Sequence, residues 1–506
     1  MATSVFSKYR SAVLDFDPIK YAGTVTRVQG MLVESRGPQA VVGELCHIIM
    51  PDGSQVYAEV VGLFGTTVQL MPFSDVDGIE LGAQVVATGG TMKIAVSDDL
   101  LGRVVDGLGR TIDGKGEVAD PELYPVINKP PHVLDRKRIT QQIATGIRAL
   151  DGLVPAGSGQ RLGIFSGSGV GKSTLLGMIA RNTNADVNVI ALIGERGREV
   201  REFIEQDLGP DGLERSVIVV STSDTPAIAR VRGAFVAMAV AEYFRDQKKD
   251  VMLLFDSVTR FAWAQREIGL ARGEAPSTRG YTPSVFSLLP RILERCGTSE
   301  LGTITGFFTV LVEGDDLEEP VSDAVRGILD GHVVLARRLA QRYHYPAIDV
   351  LGSVSRLETK VSSRPVRDAA GYVRRMLAIY ADNEDLITAG VYVPGSSEEV
   401  DEAIKKLPRI NAFLMQQIEE KADLAETIRR LCDLAEVEVP AEYAAPPEEP
   451  YPGEASPAAG GNGGEPSDAA ANDADFLPPP QSDNDRAGGA DYPMSDNATE
   501  MNDEAL

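Results

Sequence analysis

Arg161-Leu162-Gly163-Ile164-Phe165-Ser166-Gly167-Ser168-Gly169-Val170-Gly171-Lys172-Ser173-Thr174 is the stretch on which the reading of this chain turns. Residues 161–165 read as a short buried strand and Leu175 to Arg181 as a helix, so the glycines sit at a strand-to-helix turn, the setting a phosphate-binding loop requires. Gly167, Gly169 and Gly171 let successive backbone N–H groups face one concavity, and the following helix adds its unpaired N-terminal donors. The loop from Gly167 through Ser168, Gly169, Val170 and Gly171 to Lys172, Ser173 and Thr174 is therefore the expected nucleotide-binding segment. Lys172 would reach the β- and γ-phosphates, and the Ser173 hydroxyl would take one position on Mg²⁺. The strict pattern wants glycine at position 166, where this chain has serine; the substitution is tolerable if Ser166 keeps a negative φ and closes the strand.

Working outward from the loop, strands and helices alternate: strand 186–194, helix 198–208, strand 216–221, helix 226–247, strand 250–256. Apolar strands alternating with helices imply a parallel sheet covered on both faces. Upstream, short β-branched runs at 23–28, 40–42, 47–50, 57–61 and 67–70, with the turn Pro51-Asp52-Gly53, read as a small antiparallel β-barrel. Downstream of about Lys360 the pattern becomes helical, with a segment at 401–407 and one continuous stripe over 410–434 carrying Leu414, Ile418, Leu424, Ile428 and Leu431. The expected fold is thus α/β, a P-loop, RecA-like parallel core with an N-terminal antiparallel barrel and a C-terminal helical domain. The expected division is a partner-binding segment at 1–20, the barrel at 21–93, the ATPase core at 94–375, the helical domain at 376–439 and an acidic disordered tail at 440–506.

Composition bounds the function. The chain has 506 residues, 43% of them hydrophobic, and a net charge of −25. Residues 441–506 hold 15 acidic residues against one base, Arg486, and 10 of the 30 prolines, so they cannot bury enough apolar surface to fold. The remainder is still acidic, which argues against a nucleic-acid partner. No apolar run is long enough for a membrane span, and Met1 to Arg10 lacks the core of a signal peptide, so a cytoplasmic protein is expected. Cys46, Cys296 and Cys432 lack metal or disulfide spacing and are expected as free thiols, and the four scattered histidines suggest no metal cluster.

Hydrolysis needs more than phosphate binding: a metal anchor, a group that positions water, and a cation for the transition state. Asp256 ends the apolar strand Val251-Met252-Leu253-Leu254-Phe255, at the sheet edge where ligands bind, and is the candidate metal anchor beside Ser173. Glu195, in Gly194-Glu195-Arg196-Gly197-Arg198-Glu199, emerges at the same edge and is the candidate for polarising water. A solvated Glu195–Arg196 pair and a turn-forming Asp256 are the structural alternatives.

These motifs, with Asp256-Ser257-Val258-Thr259-Arg260 and residues 346–356 (Pro346-Ala347-Ile348 through Ser355-Arg356), resemble the rotary ATP synthase catalytic subunits and their protein-export relatives. The loop itself, Gly280-Tyr281-Thr282-Pro283-Ser284-Val285-Phe286, Glu313-Gly314-Asp315-Asp316 and Ile328-Leu329-Asp330-Gly331-His332 resemble the flagellar type III export ATPases. The likeness covers roughly residues 20–438 and leaves out the acidic tail. It implies Glu195 as catalytic carboxylate, Arg356 as an arginine finger given to a neighbouring subunit's nucleotide, Tyr345 as the ring that stacks on adenine, and Arg260 near the γ-phosphate. It further implies Mg²⁺ with ATP, a homo-hexamer, a stator or regulator at the N-terminus, an export gate with chaperone–cargo complexes, and a peripheral place at the inner face of the cytoplasmic membrane. An injectisome secretion ATPase shares every motif quoted; a rotary synthase subunit, an RNA helicase ring and a nucleotide-gated scaffold are the remaining alternatives.

Overall fold

The computed structural model describes residues 21–312, 316 and 318–444; the expected N-terminal segment 1–20, the motif residues Glu313, Gly314 and Asp315, and the tail from 445 onward lie outside them. Near the start, six strands close into an antiparallel barrel. The strands Ala22–Gln29, Leu32–Arg36 and Glu44–Ile49 show alternating burial, and the inward residues of the barrel, among them Val33, Ile48, Val60, Leu70 and Val85, form a separate small core. Two barrel strands were not legible, Leu32–Arg36 and Gln84–Thr91, while the expected strand at 40–42 is a loop with Val41 and Val42 exposed. Three β-branched or small residues in a row carry propensity, but a strand also needs a partner to supply its ladder. The buried carboxylate of Glu59 fastens the barrel to the core through Arg232.

The core sheet has nine strands. Its order is Ile348–Ser355, Gly331–Leu335, Arg161–Ser166, Thr303–Leu311, Asp250–Asp256, Val187–Ile193, Ser216–Ser221, Arg103–Asp106, with the short Gly297–Thr298 pairing alongside. From Gly331–Leu335 to Arg103–Asp106 the pairing is parallel; only the edge strand Ile348–Ser355 and the short Gly297–Thr298 run antiparallel to their neighbours. All seven residues of Val187–Ile193 are buried, which explains why the strand reads as an unbroken apolar run. Helix Ala227–Asp246 is apolar nearly all round because the sheet covers one side and further helices the other.

The helix expected at 198–208 divides into an α-helical turn, Gly197–Glu202, a π-helical stretch, Phe203–Leu208, and a second α-helical piece, Gly209–Glu214. The C-terminal region comprises helices Arg364–Thr388, Glu398–Leu414 and Leu424–Ala435. The stripe over 410–434 is therefore not one helix. Buried Arg148 takes the carbonyls of Phe413 and Met415, ending the first helix, and the Asp423 side chain caps the second by accepting from Glu426 N at 3.0 Å. The expected boundaries at 93/94 and 375/376 fall at the start of strand Lys93–Val96 and inside helix Arg364–Thr388.

Candidate active site

The strand Arg161–Ser166 lies between Thr303–Leu311 and Gly331–Leu335, and all three end at one level, Ser166 opposite both Leu311 and Leu335. Ser166 closes its strand without a positive φ, as expected of a serine at that position. Gly169 and Gly171 have φ of 76° and 89°, the left-handed region where a side chain would be strained. Helix Lys172–Asn182 begins directly after Gly171 with no side chain capping it, which leaves its first N–H groups for an anion. The Thr174 hydroxyl bonds Asp207 in the π-helical stretch, and Gly177 admits that stretch: a Cβ there would stand 2.6 Å from Asp207 O.

Four charged side chains named from the sequence meet at this edge. Lys172 Nζ lies 2.5 Å from Asp256 Oδ1 and 3.5 Å from Glu195 Oε1, and Arg260 Nε donates to Glu195 Oε1 at 3.1 Å. Glu195 is buried and paired across the site, whereas its neighbour Arg196 is exposed and pairs with Glu199. The Glu195–Arg196 solvated pair is thereby excluded. Gly194, φ 74°, lets the chain turn past Arg260; a Cβ there would stand 2.9 Å from Arg260 Cβ. The turn is tied to the adjacent strand by Gly194 N to Ser221 O at 2.6 Å and Ser223 N to Glu195 O at 3.0 Å.

Asp256 is not on the strand beside the phosphate loop, since Thr303–Leu311 stands between them. That intervening strand supplies a group sequence reading missed: Thr309 Oγ1 donates to Asp256 Oδ1 at 2.6 Å. A hydroxyl inside the apolar run Phe307-Phe308-Thr309-Val310-Leu311, near the strand's end, was the available signal. Ser257 caps helix Val258–Ala271 by accepting from Arg260 N, so the helix cap is Ser257 and Asp256 keeps its carboxylate for the site.

The charges set one another's ionisation. Burial disfavours the Lys172 ammonium, but the carboxylates of Asp256 and Glu195 outweigh it and hold the lysine above its ordinary pKa. Burial likewise pushes the Glu195 carboxyl above the usual glutamate range; Lys172 and Arg260 draw it down while Asp256 adds to the rise. Among the described residues no cluster of three or more His, Cys, Asp or Glu forms a metal cage. One carboxylate, Asp256, and one hydroxyl, Ser173, fit a hard divalent cation that takes its other ligands from water and phosphate.

Tyr345 and Arg356 flank the antiparallel edge strand, one before it and one after. Ile348 pairs with Leu335, at the level of Ser166, whereas Ser355 pairs with Gly331 at the opposite end. Tyr345 therefore stands at the phosphate-loop end, half-exposed, its ring 3.7 Å from where a Cβ on Gly171 would be. Arg356 is at the other end, exposed, donating to Arg326 O at 3.2 Å and bonded through its N–H to Asp330 O. The structure brings Lys172, Glu195, Asp256, Arg260 and Tyr345 to one edge and leaves Arg356 away from it.

Comparison with known proteins accounts for this arrangement. The ATP synthase alpha/beta family, nucleotide-binding domain, matches residues 146–355; that family's beta-barrel domain matches 25–89; and the T3SS EscN ATPase C-terminal domain matches 362–433. The flagellum-specific ATP synthase of Treponema pallidum (strain Nichols) is 56% identical over 432 residues, 85% of this chain and 97% of that protein. The chain belongs to the flagellar and type III secretion branch of the ATP synthase alpha/beta family. The flagellum-specific ATP synthase of Bacillus subtilis (strain 168), in the same branch, is 51% identical over 83% of this chain and 96% of its own length. Among solved structures, the assembled ATPase EscN from the enteropathogenic E. coli type III secretion system superposes with a TM-score of 0.78 at 44% identity, covering 82% of this chain and all of that one. EscN in complex with its central stalk EscO matches with a TM-score of 0.76 at 43% identity, over 82% of this chain and all of that one. As a member of this branch the chain is a nucleotide-binding ATPase. Among the described residues no helix is long and apolar enough to cross a membrane.

Proposed function

We propose that this protein is the cytoplasmic, Mg²⁺-dependent ATPase that drives flagellar protein export, acting as a homo-hexameric ring held at the inner face of the cytoplasmic membrane through its partners. The observation that carries the reading is the split site. Lys172, Glu195, Asp256 and Arg260 converge on the phosphate loop, while Arg356 is exposed at the opposite end of the edge strand, available only to another copy of the chain. A ring supplies the missing cation at each interface.

In this mechanism the glycine loop and the helix N-terminus bind the polyphosphate, and Lys172 leaves its carboxylate partners for the β- and γ-phosphates. Ser173 and Asp256 would hold Mg²⁺, which supplies charge neutralisation on the phosphates when bound. Thr309 keeps Asp256 oriented. Glu195 orients the attacking water and accepts its proton, Arg260 holds the Glu195 carboxylate in place, and Arg356 of a neighbouring subunit stabilises the transition-state charge. Tyr345 stacks on the base. A central stalk, a regulator bound at the N-terminal segment, and chaperone–cargo complexes delivered to the export gate are the expected partners; nucleic acid is not.

The flagellar assignment is favoured over an injectisome by the 56% and 51% identities to flagellum-specific relatives, against 50% to the SPI-2 type 3 secretion system ATPase of Salmonella typhimurium and 47% to the type 3 secretion system ATPase of Xanthomonas euvesicatoria. Deleting the gene should abolish motility; intact motility would favour the injectisome. Turnover of ATP with Mg²⁺ should be present in the wild type at ring-forming concentration and lost in Lys172→Ala and Glu195→Ala. Absence of turnover in every assembly state would overturn the enzymatic reading.

A further inference from the structure

Between the last two long helices, residues 415–423 return to the nucleotide end of the core, and one residue there, through its backbone and its side chain, ties three separate segments together. Gln416 is 5% exposed. Its backbone N–H donates to the carbonyl of Tyr345 at 2.9 Å. Its side chain accepts from Arg148 N at 2.9 Å through Oε1 and donates through Nε2 to Gly146 O at 2.7 Å and Glu420 O at 2.8 Å. Both ends of the amide are thereby specified: a carboxylate would set a negative oxygen against two carbonyls, and an apolar residue would leave buried polar groups unpaired.

The segments so joined surround the phosphate-loop helix. Gly146 packs on the end of that helix so closely that a Cβ would stand 2.3 Å from Asn182 Cβ. Ala144 N donates to Asn184 Oδ1 at 3.0 Å, and Arg181 Nη2 donates to Ile418 O at 2.7 Å. Arg148, 4% exposed, clamps the loop from beneath through Phe413 O at 2.8 Å and an ion pair with Glu420. Tyr345 closes the circle over Gly171.

We infer that Gln416 is a positioning residue: it sets where Tyr345 stands over the phosphate loop and so links the C-terminal helical hairpin to the grip on the nucleotide base. The inference rests on reading Tyr345 as the ring that stacks on the base. The first of helices Glu398–Leu414 and Leu424–Ala435 ends at this loop and the second begins there, so the side-chain amide of Gln416 fixes the loop against Gly146 and Arg148 while its backbone N–H carries the loop's position to the Tyr345 carbonyl.

The test uses the full-length chain at ring-forming concentration, with Gln416→Ala, Gln416→Glu, Glu420→Gln and Tyr345→Ala assayed for ATP and for CTP. A purine covers more of the tyrosine ring than a pyrimidine, so the positioning role shows as a selective loss. Gln416→Ala should raise KM for ATP on the order of tenfold, with a smaller change in kcat, while KM for CTP moves much less. Gln416→Glu should do the same, and Glu420→Gln, which weakens the Arg148 clamp and the bond from Gln417 N but keeps the Glu420 carbonyl that Gln416 uses, should show a smaller shift in the same direction. KM rising equally for both nucleotides, or unchanged KM in the folded variants, overturns the inference. If Gln416→Ala does not fold, Gln416→Glu and Glu420→Gln decide by the same criteria. The control separates the two claims: unchanged KM in Tyr345→Ala overturns the base reading and this inference with it, whereas a raised KM there beside an unaffected Gln416→Ala overturns this inference alone.

Discussion

Co-assembling two inactive variants tests the proposal that Arg356 serves a neighbour's nucleotide. Along the edge strand the levels of Ile348 and Ser355 correspond to Leu335 and Gly331, four rungs apart. At about 3.3 Å per residue this separates Arg356 from the end of the phosphate-loop strand by roughly 13 Å, before the further distance to Lys172 is added. A guanidinium at that remove cannot reach the γ-phosphate of its own chain without dismantling the sheet edge. Arg356→Ala should therefore lower turnover by ~10³ or more while leaving nucleotide binding to the same chain nearly intact, and Lys172→Ala should lose binding and turnover together. Mixed in equal amounts before assembly, half of the sites carry an intact Lys172, and half of those face an intact Arg356. About a quarter of the wild-type rate should return, measured as phosphate release at ring-forming concentration. A mixture no faster than the mean of its two components would refute the trans assignment.

Other outcomes follow from the same geometry. Removing the Arg260 cation in Arg260→Ala should raise the Glu195 pKa further, because burial already lifts it and one of the two cations that oppose the rise is gone. Glu195 acts as the carboxylate, so the acid limb of kcat/KM should move to higher pH; a limb moving to lower pH contradicts the role. Thr309→Val removes a 2.6 Å donor from Asp256, a charge-assisted bond of about 1.5–3 kcal/mol, and should lower both the thermal midpoint and, by roughly tenfold or more, the turnover measured as phosphate release at a temperature where the variant is folded. Arg295 and Glu242 form an ion pair with both side chains fully buried, so Arg295→Met should cost about 3–5 kcal/mol by leaving a buried carboxylate unpaired, and the double variant Arg295→Met with Glu242→Leu should recover much of it in denaturant unfolding. Burial pushes the thiols of Cys46 and Cys296 up to about 12, so iodoacetamide at pH 8 should label neither until the chain unfolds, as read by mass spectrometry.

The chain order of residues was enough to establish the phosphate loop, the alternation that makes a parallel sheet, and the barrel preceding it, because each is a local matter. Glycine spacing fixes backbone freedom, apolar runs report burial on two faces, and turn residues mark strand ends. Lys172, Glu195 and Asp256 were legible for the same reason: each stands where a strand meets the sheet's ligand-binding edge, and a parallel topology carries all such ends to one side. Strands such as Gln84–Thr91, whose ladder partners are the distant strands Ala22–Gln29 and Glu44–Ile49, were not legible. Nor was the break at 415–423, where helical spacing continues through residues whose carbonyls are claimed by Arg148, more than 260 residues earlier in the chain.

What the tertiary structure alone decided is which charges meet. Sequence placed Glu195 next to Arg196, yet the fold pairs it with Lys172 and Arg260; sequence showed Tyr345 and Arg356 eleven residues apart, yet one antiparallel strand sends them to opposite ends of the sheet. Local pattern fixes how a segment is shaped, whereas strand order and direction fix what it faces, and the chemistry of this site depends on the second.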